Sequence, residues 1–598
     1  MCGISGFNFR NEDLVRSMNG TLNHRGPNGS SFFVWDKLSL GHNRLSIIDL
    51  SDAGSQPMFY QAKGKKVCIV FNGEIYNYIE LKERLTKFGY IFNTNTDTEV
   101  IMASYIEWGE NCVKEFNGMW SFCLYDLQKE ILFCSRDRLG VKPFYYYYHD
   151  GKFIFSSEVK AILKHENLGI NDLRNINKSA VELYFSLGYI PAPYSIYNNV
   201  LKLKAATNLI FDLKSSSISN LYSYYQVPTS SISLNKENLI DEGKSILRDA
   251  VKIRMRSDVP VGAFLSGGLD SSTVVGEMRH FTRLENLHTF SIGFENKVLD
   301  ESNYINLVKN YFGTIHHHYI YKEVDFKATW THYSETFDEP FGDYASFPTY
   351  KVCDLAHEKV TVVLSGDGGD EIFGGYPLYN TGFIVDKLRK IPKEVRKVLY
   401  NITNHVKKAD RRLVKVSEAL RLSLLEKNEF HAQMFFNDRY KPEIYSEWSI
   451  EKLSEALDIS KNNLSEALRI YDLLQNTLQD NYLVKVDRTS MANSIEVRSP
   501  FLDYRFIEYA QKIPPSLKVS YRKNKILMRE IIKDIVPKEI VERNKMGFTP
   551  PIDEWLYRSI SKKDFQVYCN YLEGFSSELF CFYKKVLLSE TKNHMQEQ

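Results

Sequence analysis

The chain has 598 residues, 43% of them hydrophobic and 25% charged, the balance of a soluble globular protein long enough for roughly two to four domains. A net charge of +2 supplies no broad basic field and argues against a nucleic-acid partner, and no apolar run approaches the roughly 18 residues of a membrane span. Eight thinly spread cysteines without a C-x-x-C pair, and an N-terminus with no basic stretch leading an apolar one, predict reduced thiols in a cytoplasmic protein.

The first segment of interest is Met1-Cys2-Gly3-Ile4-Ser5-Gly6-Phe7. Removal of Met1 would leave Cys2 with a free α-amine, whose ordinary pKa near 8 leaves a useful fraction unprotonated at neutral pH. Such an amine serves as general base to the thiol of the same residue. A second-place cysteine carries little information alone, so the sequel decides. Asn23 to Gly29 is a turn-rich loop, and Arg44 is expected to lead into an alternating strand through Leu45, Ile47 and Ile48. Val67 to Phe71 reads as a strand delivering Asn72-Gly73-Glu74, and Thr96 or Asp97 as the cap of a helix.

In order, these pieces resemble the glutaminase domain of class II glutamine amidotransferases, which are N-terminal nucleophile enzymes. The resemblance implies that Cys2 attacks a glutamine side-chain amide while Asn72 and Gly73 form the oxyanion hole. It places Arg44 on the substrate carboxylate, with Leu45, Ile47 and Ile48 beside it, and Glu74 and Asp97 on the substrate ammonium. One departure stands out: the family pattern HRGPD ends here in Asn28. The implied fold is an αββα sandwich over residues 2–215.

Further along, Trp120 to Asp126 and Ile131 to Arg136 form a hairpin signal. Cys112, Cys123 and Cys134 sit among apolar residues and read as core. Ser135 to Phe144 and Phe155 to Lys160 resemble family segments whose charges suit a scaffold or interdomain role. The tyrosines 145–148 alternate faces in a strand. Val227 to Lys236 is the expected linker, and Glu237 to Arg256 a helix.

The second half opens on Val261-Gly262-Ala263-Phe264-Leu265-Ser266-Gly267-Gly268-Leu269-Asp270-Ser271-Ser272. A strand, a glycine turn and a helix start make an anion site, because free N–H groups and the helix dipole point at one place. No lysine follows the glycines, so this is not a Walker A loop. Two more strand-then-glycine turns follow, at Leu287 to Glu295 and at Val360 to Glu371. Alternation with helices predicts a doubly wound parallel sheet over 235–585, with the glycine turns at the strands' carboxyl ends and a helical extension from Tyr379 to about Asp480. The basic cluster Lys407 to Arg412 reads as a solvated face. His316, His317 and His318 alternate faces in a strand, which suits a structural role better than a shared metal.

The Ser-Gly-Gly-Leu-Asp-Ser run resembles the pyrophosphate loop of enzymes that cleave ATP between its α and β phosphates. That resemblance implies ATP contacts at Phe264, Leu265, Ser266, Gly267, Gly268, Asp270, Ser271, Ser272, Ile292, Ser365 and Gly366, and Mg²⁺ on Asp270 and Asp370. Asp367 stands where many members carry the glutamate of adenylate formation, and Lys545 is suited to the departing pyrophosphate. Asp338-Glu339-Pro340 and Ala345 to Thr349 resemble an acceptor-pocket segment, and Leu483 to Asp503 a paired ion network.

The whole chain resembles glutamine-hydrolysing asparagine synthetases of the B type. Glutamine, L-aspartate and ATP are the implied partners, with a homodimer as the implied assembly. Three other readings stand beside it: amidation of another carboxylate such as a sugar acid, a non-catalytic sensor of glutamine or nucleotide, and a β-lactam-forming cyclase. Cys2, Asn72, Asp270 and Asp370 speak against the last two.

Overall fold

In the computed structural model the protein has a mixed α/β architecture in two halves. The structure describes residues 1–165, 175–228, 235–296, 300–406, 411–425, 451–452, 454–461, 463–474, 477–546 and 555. The first half contains strands β1 (Gly3–Phe7), β2 (Gly29–Trp35), β3 (Leu38–Arg44), β4 (Met58–Ala62), β5 (Lys65–Ile75), β6 (Gly118–Asp126), β7 (Ile131–Arg136), β8 (Tyr145–His149), β9 (Lys152–Ser156), β10 (Val200–Lys202), β11 (Thr207–Asp212) and β12 (Ser217–Ser223). They form two six-stranded antiparallel sheets, ordered β10-β8-β9-β1-β3-β2 and β12-β11-β7-β6-β5-β4.

Side-chain alternation explains the layering. Along β5, Cys68 and Val70 point between the sheets, where they meet Ile4, Leu40 and Phe155. Ile69 and Phe71 point the other way, under helices Tyr78–Lys87 and Asp97–Trp108. Both faces are buried, which is why the strand reads as a continuous apolar run. Helix Glu12–Thr21 covers the first sheet, capped by Asn11, which accepts the Leu14 N–H at 3.0 Å. The result is an αββα sandwich. Cys123 faces Cys134 across β6 and β7 inside it, and Cys112 lies in the layer under the helices.

One local expectation fails. β3 ends at Arg44, and residues 45–48 form a loop instead of a strand. Leu45, Ile47 and Ile48 are buried because they pack against Ile253, Val362 and Met491 of the second half. Their apolar character comes from that interface, and a sheet is not needed to explain it.

The second half follows helix Lys236–Arg254. Of the expected linker, residues 229–234 lie outside the described residues. Strands β13 (Val261–Phe264), β14 (His288–Phe294), β15 (Ile315–Tyr321), β16 (Val362–Leu364) and β17 (Glu496–Arg498) are parallel throughout, in the order β15-β14-β13-β16-β17. The chain starts in the middle, winds outward one way and returns the other, so the winding reverses between β13 and β16. Loops leaving those strands diverge there and open a crevice for a ligand.

On β15, His316 bonds Thr289 and Ser291 at 2.9 Å each, and His318 bonds Ser291 at 2.7 Å. His317 faces the other way and pairs with His288 at 2.9 Å. Among the described residues no group of three or more His, Cys, Asp or Glu is placed to hold a metal. Helices Pro377–Leu388, Lys393–Val406, Arg411–Leu424 and Leu464–Leu474 form the extension between β16 and β17. Residues 407–410 of the expected basic face, the Gly547 to Pro551 part of the Arg543 segment and the polar C-terminus lie outside the described residues. No helix among the described residues is long and apolar enough to cross a membrane.

The halves meet through buried charge. Arg488 lies 3.1 Å from both Glu158 and Asp338, and Lys142 lies 3.5 Å from Asp487. Lys202 pairs with Glu339, and Arg138 stacks over Tyr504 at 4.2 Å. The charged family-like segments of the first half therefore face the second half. Buried ions persist only when paired, so this network fixes how the halves sit together.

Candidate functional site

Two sites are built, one in each half. In the first, Cys2 immediately precedes β1, which pairs with β3, so the thiol lies near the Arg44 end of that strand. Burial raises the Cys2 thiol pKa, while the chain's terminal amine and a backbone hydrogen bond from Leu45 oppose the rise. The Met1 amine is itself pushed down by burial, to about 6, and lies 3.7 Å from Glu496.

Asn72, Gly73 and Glu74 lie within β5, which runs further than the apolar run suggested. Both polar atoms of the Asn72 side chain are buried with no hydrogen-bond partner in the protein. A buried orphan amide costs about 1–3 kcal/mol, so it marks a place where a ligand completes the bonding. Glu74 and Asp97 form a second tension. Burial raises Glu74 well above the ordinary carboxylate range and Asp97 adds to it, while burial lifts Asp97 to about 7. Asp97 opens its helix but does not cap it: Thr96 accepts from Glu99 N, and the Asp97 carboxylate accepts Ile75 N–H at 2.8 Å. Two crowded carboxyls of this kind suit a cation that arrives with a substrate.

Arg44 is buried and donates from Nη1 to the Ser51 carbonyl at 2.6 Å and from Nη2 to the Asp49 carbonyl. Those bonds fix the plane of its guanidinium and leave other N–H groups for an anion. Asn28 ties its loop to the end of β3: its side-chain oxygen accepts Ser46 N–H at 2.9 Å, and its own N–H donates to the Arg44 carbonyl at 2.9 Å. A groove of about 760 Å³, lined by Ile48, Tyr78, Lys82, Asn95 and Asp258 among others, runs beside these residues.

In the second site, the turn after β13 carries Leu265, Ser266, Gly267 and Gly268 into helix Leu269–Met278. Gly267 has φ +67°, and a β-carbon there would come within 2.7 Å of Ile305 N, so only glycine fits. Ser266 N–H donates to Ser271 Oγ at 3.2 Å, while Ser272 Oγ is buried without a partner. Phe264 and Ile292 lie in β13 and β14, at the carboxyl half of each. The turn after β16 brings Ser365, Gly366, Asp367 and Asp370 to the same crevice. Ser365 N–H donates to the Arg498 carbonyl at 2.9 Å, tying that turn to β17. Asp367 accepts from Ser365 Oγ at 2.7 Å, so its carboxylate turns back on its own loop.

Lys525 reaches both metal-candidate carboxylates, 2.5 Å from Asp270 and 2.5 Å from Asp370, and Lys545 also pairs with Asp370. Burial works to raise Asp370, and the two lysines overcome it and bring it to about 2; burial prevails at Asp270, which is raised. Gly375 makes the approach possible, since a β-carbon there would meet Asp370 Oδ1 at 1.8 Å. Arg543 donates to the Gly267 carbonyl at 2.6 Å and pairs with Glu301, holding the Lys545 segment against the loop.

Sequence reasoning missed Lys525 and the anchoring part of Arg543. Lys525 sits in Arg522-Lys523-Asn524-Lys525, which matches no motif, and no spacing links it to the glycine turns. Its only local signal is conformational: φ +52° just before helix Ile526–Ile532.

Comparison with known proteins follows the same division. A family model described as asparagine synthase matches residues 242–592, and one described as a glutamine amidotransferase domain matches residues 1–225. A protein of Methanocaldococcus jannaschii described as putative glutamine-hydrolyzing asparagine synthetase 2 is 54% identical over 520 residues, covering 82% of this chain and 98% of its own. Glutamine-hydrolyzing asparagine synthetases 1 and 3 of Bacillus subtilis are 32% identical over 590 residues and 30% identical over 592, each covering 94% of this chain and 89% or 91% of their own. With that model spanning more than half of its length, the chain belongs to the asparagine synthase family.

Proposed function

We propose that the protein makes L-asparagine from L-aspartate, glutamine and ATP, releasing glutamate, AMP and pyrophosphate. The observation that carries this reading is the pairing of two incomplete sites across one buried interface: an unpartnered Asn72 amide near Cys2, and a lysine-bridged carboxylate pair on a phosphate-type loop.

In the first site, Cys2 attacks the glutamine carboxamide carbon, with the free α-amine left by Met1 removal taking the thiol proton. The Asn72 amide and the Gly73 N–H receive the developing oxyanion. Arg44 grips the α-carboxylate, flanked by Leu45, Ile47 and Ile48, while Glu74 and Asp97 take the α-ammonium and its charge relieves their crowding. Collapse of the tetrahedral adduct releases ammonia, and water hydrolyses the thioester to glutamate. Ammonia then crosses the interface, where Ile48, Met119, Ile253, Val362 and Met491 form an apolar layer that keeps it from being protonated.

In the second site, the turn from Ser266 to Ser272 cradles the ATP phosphates with backbone N–H groups and hydroxyls. Ser365 and Gly366, with β13 and β14 at Phe264 and Ile292, hold the adenosine part. The aspartate side-chain carboxylate attacks the α-phosphorus and pyrophosphate leaves, its charge met by Lys545 and Lys525. Asp367 lies on the loop that faces the forming acyl-adenylate. Ammonia attacks the acyl carbon and AMP departs.

Asp270 and Asp370 fit Mg²⁺, because Asp370 is buried and Asp270 half-buried, both offer hard oxygen donors, and Asp270 Oδ1 has no hydrogen-bond partner. When bound, the ion neutralises phosphate charge and orients the leaving pyrophosphate. Free cysteines and these metabolites support a reaction in the cytoplasm.

Product analysis with ATP, Mg²⁺, glutamine and a panel of carboxylates tests the reading. Asparagine, AMP and pyrophosphate appearing with aspartate alone is the expected result. Amidation of a sugar acid in preference to aspartate would overturn the acceptor, and glutamate release with no amidated product would overturn the synthesis.

A further inference from the structure

Asp49 sits at the centre of the loop that holds Arg44, and its backbone is left-handed, with φ +55°. A non-glycine residue holds that conformation only when its neighbours fix it. Every polar group of Asp49 is engaged. Its carbonyl accepts from Arg44, its Oδ1 accepts Ser51 N–H at 3.2 Å and Ser51 Oγ at 2.5 Å, and its Oδ2 accepts Asn95 N–H at 2.9 Å. The remaining group, the Asp49 N–H, donates at 2.8 Å to a carboxylate 209 residues away, that of Asp258. The Asp258 N–H in turn donates to the Ile47 carbonyl at 2.9 Å.

Asp258 belongs to the other half of the molecule. It stands three residues before β13, the strand that ends in the pyrophosphate-type loop. The same short link grips the opposite wall of the glutamine site: Arg256 reaches the Tyr76 carbonyl and pairs with Glu80, and Arg498 Nη1 donates to the Arg254 and Arg256 carbonyls at 2.8 and 2.6 Å while its Nη2 reaches Glu74. Asp258 also lines the groove beside that site, together with Ile48, Tyr78 and Asn95.

We infer that Asp258 is a positioning residue for glutamine: its carboxylate locks Asp49 in the left-handed conformation, Asp49 and Ser51 then hold the Arg44 guanidinium, and the glutaminase site is complete only with the synthetase half docked on it. This rests on the reading of Arg44 as the glutamine carboxylate anchor. The inference goes beyond that reading by assigning glutamine affinity to a residue outside the glutaminase domain. A charge-assisted bond to a backbone N–H contributes enough to change an affinity about tenfold. Loss of it loosens binding without touching the nucleophile, so it acts on KM and not on kcat.

The test is steady-state kinetics of the full chain with Asp258→Ala and Asp258→Asn. The alanine variant is expected to raise the glutamine KM about tenfold in both glutaminase and synthesis assays, with kcat within about twofold of wild type. Ammonia-dependent synthesis stays unchanged, which also reports that the second half is folded. The asparagine variant keeps an acceptor oxygen and is expected to bring the glutamine KM back to within about threefold of wild type. A wild-type glutamine KM in Asp258→Ala would overturn the inference, as would a parallel fall in kcat and in ammonia-dependent synthesis. Should the alanine variant not accumulate, Asp258→Glu, whose longer arm carries the carboxylate past the Asp49 N–H, is expected to show the same KM effect, and a wild-type value there would be equally fatal. If Arg44→Lys itself left the glutamine KM unchanged, the anchor assignment would be at fault and not the link to Asp258.

Discussion

Arg25 and Asp487 are joined by a two-pronged ion pair, Nη1 to Oδ2 at 2.9 Å and Nη2 to Oδ1 at 3.0 Å, across the boundary between the two halves. Arg25 is fully buried, and the same guanidinium also reaches Glu158 at 2.7 Å and the Cys2 carbonyl at 3.2 Å. One side chain therefore ties Cys2 to helix Leu483–Ala492 of the second half.

Removing that charge takes one cation from each of two buried carboxylates, leaving Glu158 with Arg488 and Asp487 with Lys142 at 3.5 Å. Arg25→Met is expected to cost about 3–5 kcal/mol, the range for breaking a buried pair from one side. Urea unfolding would show it as a lower midpoint. A combined Arg25→Met and Asp487→Leu protein should recover part of the loss, and a double variant no better than the single would show that the pair is not the source.

Cys2→Ala is expected to abolish glutamine hydrolysis and leave synthesis from added ammonia intact, because the second site keeps its own residues. Glutamate release assayed against ammonia-dependent asparagine formation separates the two. Hydrolysis at the wild-type rate would remove Cys2 as the nucleophile.

Arg44→Lys keeps the charge but loses the planar fork that reaches Ser51 and Asp49. The glutamine KM should rise by about tenfold or more, with ammonia-dependent synthesis unaffected. An unchanged KM would take Arg44 out of the site.

Glutamine affinity should depend on pH through Asp97. Burial lifts its pKa to about 7, so the carboxyl is neutral at pH 6 and charged at pH 8. Only the charged form attracts the α-ammonium, so binding tightens as pH rises. Calorimetry with the Cys2→Ala protein, which separates binding from chemistry, should show Kd falling about tenfold from pH 6 to pH 8. Asp97→Asn should flatten the profile; a persisting slope would assign it to another group.

Asp270→Asn should block AMP formation from glutamine and from ammonia alike, by about 100-fold or more, while glutamine hydrolysis survives. The substitution removes a carboxylate that Lys525 and a metal would share. Nucleotide chromatography after turnover with aspartate decides it. ADP with inorganic phosphate in place of AMP with pyrophosphate would sink the adenylation route, and full AMP production by the variant would sink the metal role of Asp270.

The sequence by itself determined what local chemistry writes into consecutive residues. Apolar runs gave the sandwich strands, and Ser266 to Ser272 after such a run gave the phosphate-type loop, because strand, turn and helix start are all local preferences. Even Asn28 could be spotted as a departure. Tertiary structure decided where distant groups meet. Leu45 to Ile48 look like a strand and are a loop, because their partners Ile253, Val362 and Met491 belong to the other half. Lys525 belongs to no motif, yet it lies between Asp270 and Asp370, because the fold carries it more than 150 residues along the chain to them. The Asp49 to Asp258 bond has no sequence signature at all. Hydrogen bonds and ion pairs depend on distances of a few ångströms, and between such remote positions those distances are fixed only when the whole chain has packed.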